Sequence, residues 1–351
     1  MSALHNANRW QAGLTLVEIM IALLIGAFLL GGVLQVFVNS KQTYRMQENL
    51  SRLQESGRFA MELISNDLRM AGYVGCASLG AVKLTIDADP KADEDKGSNT
   101  NPKLTDFSNS TAITGDDNVA ADWNASACSG SCVADTDAVT VQYAGTCGGY
   151  LIGNMGTDNA NIQIPENNSC GVKANDTLLI SDCSAADIFI ATNASKGEKK
   201  QTIAHAANQN TSPKLSKVYG TDAELYVLKS YSYFIRTGAS GRPALWRLDN
   251  TKAAAVGTNP VELVEDVENL QILYGEDTDA DGAANYYVTA DDIDTIANVI
   301  SLRVQVLVAT PDDNLAKSPI KYVYNGETLT PDDRRLRRVF TATLAVRNRL
   351  N

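Results

Sequence analysis

From Leu14 to Val38 the chain reads LTLVEIMIALLIGAFLLGGVLQVFV, twenty-five residues that carry a single charge, Glu18. A helix of that length rises about 37 Å, more than the roughly 30 Å hydrocarbon core of a bilayer. A cleaved secretory signal has a shorter apolar region, about 7 to 15 residues, followed by a small-residue cleavage site that Gly31-Gly32 does not supply. The run therefore predicts one membrane-spanning helix, and no second run of its length follows. An ionised carboxylate at the centre of a span costs about 2.5 to 3.5 kcal/mol, so Glu18 must either reach the membrane interface or serve a partner.

Gly13 stands directly before the run, and Gly13-Leu14-Thr15-Leu16-Val17-Glu18 resembles the prepilin signature of type IV pilins and type II secretion pseudopilins. The resemblance implies cleavage after Gly13 by prepilin peptidase on the cytoplasmic side, N-methylation of Leu14, and an assembly role for Glu18 as the fifth mature residue. Leu14 departs from the phenylalanine usual at that place. Cleavage would create an α-amine about one helical turn from Glu18, on its own chain or a neighbour's, and opposite charges attract strongly at low dielectric. Arg9 precedes the span while Lys41, Arg45 and Arg52 follow it, so counting positive charges does not place the N-terminus inside. The leader motif supplies that orientation.

Past the span, residues 39–71 contain no proline and one glycine, Gly57, and are rich in Gln, Glu, Arg, Leu and Met, all good helix formers. Leu50, Leu53, Ala60, Ile64, Leu68 and Ala71 recur at helical spacing and predict one apolar face, with Gly72 as the stop. A continuous helix from Leu14 to Ala71 would be about 87 Å long. Major pilins commonly carry a proline in the apolar half of this helix, whereas the first proline here is Pro90. Downstream, segments 138–143, 177–180, 188–191, 225–235, 270–274, 299–308 and 338–346 are rich in β-branched and aromatic residues and read as strands. No helices alternate with them, which favours an antiparallel or mixed sheet over a parallel doubly wound one. The stretches 86–135 and 193–217, dominated by Asp, Asn, Ser, Thr, Ala and Gly, read as insertions or surface loops. The expected fold is α+β, a long transmembrane and amphipathic N-terminal helix packed on an antiparallel or mixed β-sheet head. Its divisions are a leader at 1–13, a transmembrane part at 14–38, an amphipathic part at 39–72 and a β-rich head at 73–351.

Six cysteines, Cys76, Cys128, Cys132, Cys147, Cys170 and Cys183, all follow the span. An even count in loop-like sequence fits an oxidising periplasm and up to three disulfides, with the connectivity open. Zinc is poorly served, because Cys128-x-x-x-Cys132 has no second close pair and the chain has only two histidines, His5 and His205. His205 sits in polar sequence and reads as solvated. Asp277, Asp279 and Asp281 with Gly282 match the first half of a calcium loop, since alternate carboxylates converge when the chain turns at the glycine. The twelfth position, where that loop needs a bidentate glutamate, is Val288, and Asp291 and Asp292 are candidates to close a different loop. No cofactor is required; calcium is the one candidate ion.

The tail from Asp332 carries six arginines in its last eighteen residues, although the whole chain has a net charge of −11. Arg335, Arg337, Arg347 and Arg349 fit a strand with a charged solvent face. Two roles suit them: edge protection with pairing to the chain's own acids, or an electrostatic contact with another acidic subunit. Together with Gly75-Cys76-Ala77-Ser78 and with Leu270-Gln271-Ile272-Leu273-Tyr274-Gly275 before the acidic turn, this ending resembles the PilW family of type IV pilus minor pilins.

The net negative charge argues against nucleic-acid binding. No G-x-S-x-G elbow, H-E-x-x-H helix, phosphate loop or Cys/His pair is present, so no enzyme is expected. The resemblance implies a subunit of the bacterial inner membrane, with its head in the periplasm, that later joins the extracellular pilus near its tip. It would prime pilus assembly, twitching motility and adhesion, with other minor pilins, the major pilin, prepilin peptidase and a tip adhesin as partners. Two alternatives stand beside this: a J-like pseudopilin of type II secretion, and a single-pass binding or sensor protein that keeps residues 1–13.

Overall fold

The computed structural model describes residues 15–76, 78–89, 107–108, 110–197, 199–252 and 258–349. Among these residues one long helix, α1 (Leu16–Met70), precedes seventeen strands. In chain order these are β1 (Lys83–Ile86), β2 (Ile113–Val119), β3 (Thr136–Tyr150), β4 (Ile162–Pro165), β5 (Thr177–Ser181), β6 (Ala185–Ile190), β7 (Asn193–Gly197), β8 (Lys200–Ala204), β9 (Glu224–Thr237), β10 (Pro243–Asp249), β11 (Val261–Glu265), β12 (Val267–Glu276), β13 (Tyr286–Val288), β14 (Val299–Ala309), β15 (Tyr322–Tyr324), β16 (Glu327–Leu329) and β17 (Arg337–Ala345). The chain divides into two compact units at Ser51/Arg52, so residues 52–70 of the helix belong to the β-rich unit.

Two main sheets build that unit. The first is mixed: β1 runs parallel to β6, and every other pairing in it is antiparallel. Its spine is β9, whose residues 224–233 pair with β3 on one side. On the other side, residues 224–227 of β9 pair with β5 and residues 231–237 with β10. One strand thus carries two sub-sheets. The second sheet, β13-β12-β14-β17, is antiparallel throughout. A hairpin of β15 and β16 and a three-stranded sheet β4-β8-β7 complete the unit.

Of the six apolar positions expected to face the core, Leu50 is only half-buried and the other five are buried. Leu53, Ala60, Ile64, Leu68 and Ala71 form one core with Val139 and Val141 of β3, Tyr233 and Ile235 of β9, and Ile272, Val304 and Leu344 of the second sheet. Both main sheets therefore close on residues 52–71. Each fully buried aliphatic side chain among these contributes about 1.5–3 kcal/mol relative to exposure. The β5–β6 hairpin is buried along its whole length because separate apolar clusters cover its two faces, which explains a continuous apolar run instead of alternation. Gly72, with φ +73°, ends the helix in the left-handed region that glycine adopts without penalty.

Two expectations need correction. Within the presumed loop 86–135 lies β2, whose backbone pairs with β3 despite the sequence ITGDDNV. Within 193–217 lie β7 and β8, and the segment is partly core: Ile203, His205 and Leu215 are buried. His205 is not solvated. It is 4% exposed, with Nε2 bonded to the Ala160 carbonyl at 2.9 Å and the ring beside Phe189.

Candidate functional site

The start of α1 holds a reciprocal hydrogen-bond pair. Thr15, just before the first helical residue, donates its N–H and its Oγ1–H to Glu18 Oε2, both at 2.9 Å, and the Glu18 N–H returns to Thr15 Oγ1 at 3.3 Å. This is a capping box, which satisfies donors that every helix start leaves open. Its signal, Thr15-x-x-Glu18, is legible in sequence, and reading Glu18 only as a partner for another subunit misses it. The apolar side chains that follow stand open, Leu16 at 73% and Phe28 at 75% exposed. By length and composition the helix is able to cross a membrane. Gly13 and Leu14, the cleavage and methylation positions, lie outside the described residues.

At the other end of α1 a polar cluster joins helix to sheet. Asp67 accepts hydrogen bonds from the hydroxyls of Tyr143, at 2.7 Å, and Tyr233, with Arg247 Nη1 3.8 Å away. Burial first, and then the Asp67 charge, push both tyrosine hydroxyls far above their ordinary range, so they remain donors. Asn348, near the C-terminus, closes the same helix end. Its Nδ2 donates to the carbonyls of Arg69 at 3.2 Å and Ala71 at 3.3 Å, and its own carbonyl accepts the Leu79 N–H at 3.1 Å. The last residues of the chain thus cap carbonyls that a helix cannot satisfy itself.

Residues 232–348, which run from β9 through the second sheet to this capping asparagine, match the family model of PilW, type IV pilus-assembly protein W. That segment, a third of the chain, is similar to the PilW family. The apolar N-terminal helix and the strands from β1 to β8 precede the matched residues. No curated protein matches it. Among solved structures, a type IV-like pilin from Thermus thermophilus is similar at 15% identity, covering 51% of this chain and 86% of that one with a TM-score of 0.22.

Within the PilW segment the arginine-rich ending splits in two. Arg335 and Arg337 do not form a charged solvent face: their side chains are 11% and 9% exposed and are paired internally. Arg335 reaches Asp266 at 2.9 Å and Glu268 at 3.2 Å, and Arg337 reaches Glu268 at 2.6 Å and Asp333 at 2.7 Å. Asp266 and Glu268 come from β12 and the turn before it, and Asp333 from the approach to β17, so this network fastens the start of β17 to the sheet. β17 ends at Ala345, and Arg347 to Arg349 form a short 3-10 helix instead of continuing the strand. Arg338 and Arg347 are exposed, and among the described residues neither makes an ion pair.

The acidic turn of the PilW segment does converge. Asp277, Asp279 and Asp281 each place a carboxylate oxygen within 4.8 Å of the others. Asp277 already accepts the N–H groups of Gly282 at 2.9 Å and Asp281 at 3.3 Å, which shapes the turn. Asn285, three residues before the Val288 position where a calcium hand has its glutamate, accepts from Thr278 N–H at 2.7 Å and Oγ1 at 3.0 Å and closes the turn. Asp291 and Asp292 are not part of the cluster; Asp292 accepts from the Thr289 hydroxyl at 3.1 Å.

All six cysteines precede the PilW segment. They pair as Cys76–Cys183, Cys128–Cys132 and Cys147–Cys170. The first ties the chain just after the helix to the β5–β6 turn across 107 residues, so it closes the largest loop and constrains the unfolded chain most.

Proposed function

We propose that this chain is a minor pilin of a type IV pilus, a structural subunit without catalytic chemistry. Prepilin peptidase removes residues 1–13, and Leu14 becomes the methylated N-terminus. The helix holds the subunit in the inner membrane with its head in the periplasm, until Glu18 guides it into the assembling bundle by pairing with the α-amine of a neighbour. The head joins other minor pilins near the tip, where the complex primes assembly of the major pilin and presents an adhesin. The observation that carries this reading is the coincidence, on one chain, of an apolar helix opened by Glu18 and a PilW segment whose last residue caps that helix. Calcium at Asp277, Asp279 and Asp281 would order the acidic turn and nothing more.

The mass of the chain extracted from membranes tests the reading. Loss of Met1 to Gly13 with one added methyl is expected, and an intact N-terminus overturns it. Deletion should abolish surface pili and twitching while leaving type II secretion intact. Loss of secretion instead would return the chain to the pseudopilin class.

A further inference from the structure

The edge strands of the head differ sharply in length. β1, β4, β7, β11 and β13 run three to five residues, and β2 is acidic with a broken register, which are ordinary ways of blunting a sheet edge. β17 is different: nine residues, RRVFTATLA, with unbroken register against β14 and no proline. Among the described residues no strand pairs with its outer side.

The direction of its backbone follows from two hydrogen bonds that bracket the strand. Val346 N–H donates to the Ile300 carbonyl at 2.8 Å, and Thr310 N–H donates to the Leu336 carbonyl at 2.9 Å. Residues 336 and 346 thus face β14. Because antiparallel pairs alternate, the even-numbered residues between them bond inward, and Val339, Thr341, Thr343 and Ala345 direct their N–H and C=O groups outward. Thr341, Thr343 and Ala345 are exposed. At the two ends of this row stand Arg338 and Arg347, the exposed arginines without an ion pair.

We propose that the outer edge of β17 accepts an extended, acid-flanked segment of another pilus subunit as an added strand. Main-chain bonds from Val339, Thr341, Thr343 and Ala345 would supply affinity, and Arg338 and Arg347 would select a segment with a carboxylate at each end. A long open edge is an aggregation liability in a free monomer, and it is tolerable where a partner covers it. That the occupant is a pilus subunit rests on the minor-pilin reading; that the edge takes an acidic strand does not.

The edge is therefore tested first on the purified full-length chain in detergent. The probe is a synthetic peptide of alternating threonine and valine with a glutamate at each end. Slowed amide exchange at Val339, Thr341, Thr343 and Ala345, absent with the lysine-ended counterpart, is the expected result. No protection, or equal protection by both peptides, overturns the proposal. In cells, Thr343→Pro removes an outward N–H and leaves the β14 ladder its donors, and Thr343→Val keeps every donor. Arg338→Glu combined with Arg347→Glu reverses the charge without touching the backbone, which keeps the test open if the proline variant unfolds. The proline and double-glutamate chains should lose their first thirteen residues normally yet fall at least tenfold in sheared pili, while Thr343→Val matches the wild type. Wild-type recovery of both overturns a pilus subunit as the occupant. An unprocessed wild-type N-terminus would defeat the minor-pilin reading and leave the peptide result standing.

Discussion

The ring of Phe340, on β17, fills the space that a Cβ on Gly57 of α1 would need. Gly57 is the one glycine in the second half of the helix, and it lies directly against Phe340 of the PilW-like segment. In an open helix, glycine to alanine gains about 0.5–1 kcal/mol. Here the added methyl must displace an aromatic ring, and overpacking of that kind costs about 1–3 kcal/mol. Gly57→Ala should therefore lower the stability of the head by roughly 1–2 kcal/mol. Denaturant unfolding measures it, and Gly57→Ala combined with Phe340→Ala should cost less than the two single changes added together. A stabilising or additive result would show that the close approach is not a constraint.

Glu18 has two jobs that one substitution does not separate. As a capping residue it needs an acceptor; as a partner for an α-amine it needs a charge. Glu18→Gln keeps the acceptor and removes the charge, whereas Thr15→Ala removes the cap, worth about 1 kcal/mol, and keeps the charge. The predicted outcome is that Glu18→Gln is processed but absent from pili, and that Thr15→Ala is processed and incorporated. Immunoblots of membrane and sheared-pilus fractions decide it. Incorporation of Glu18→Gln would leave the capping box as the whole explanation for that glutamate.

The helix was legible because its signals are local. An apolar run, a 3.6-residue spacing and a terminal glycine each depend on residues a few places apart, and Leu53, Ala60, Ile64, Leu68 and Ala71 are all buried as the spacing requires. The central strands were legible for the same reason, with ends displaced by up to seven residues, the most at the end of β3. The misses are relations between distant parts. ITGDDNV has no strand pattern, yet β3 supplies its pairing partner. Arg335 and Arg337 read as solvent-facing by alternation, because nothing local shows that Asp266 and Glu268 lie against them. Gly57 carried no meaning until Phe340, 283 positions later, was placed beside it. Glu18's cap is the exception: its signal, Thr15-x-x-Glu18, is local and competes with the more distant pairing role that the same residue suits.

Calcium makes a narrow prediction at the acidic turn. Three carboxylates within 4.8 Å repel one another, and a divalent cation relieves that repulsion. With Val288 in place of the closing glutamate, affinity should resemble the weak extracellular class, with dissociation constants of about 0.1–1 mM. At 10 mM calcium such a site would stabilise the head by roughly 1.4–2.7 kcal/mol. A rise of a few degrees in unfolding temperature, lost in Asp279→Ala and not reproduced by sodium at equal ionic strength, is expected. An unchanged transition would make the turn a self-contained one, held by Asp277 alone.

The two sheets share a carboxylate whose charge should set the pH dependence of the fold. Asp137 of β3 is 4% exposed and accepts the Ile272 N–H of β12 at 2.7 Å and the Asn118 N–H at 3.2 Å. Burial pushes it up to about 7, against the Ile272 hydrogen bond that pulls it down, and the neighbouring Asp117 adds to the rise. Asp87, raised to about 6 by burial and by Asp187, acts in the same direction. Since the folded state holds these protons more tightly than an unfolded carboxyl near 3.9, their contribution is complete below that value. It is lost as pH climbs through 6 and 7. Stability should fall on the order of a few kcal/mol between about pH 4 and pH 7, and Asp137→Asn should flatten most of that slope. Urea unfolding at pH 4, 5.5 and 7 checks it, and an equal slope in the variant would remove Asp137 as the source.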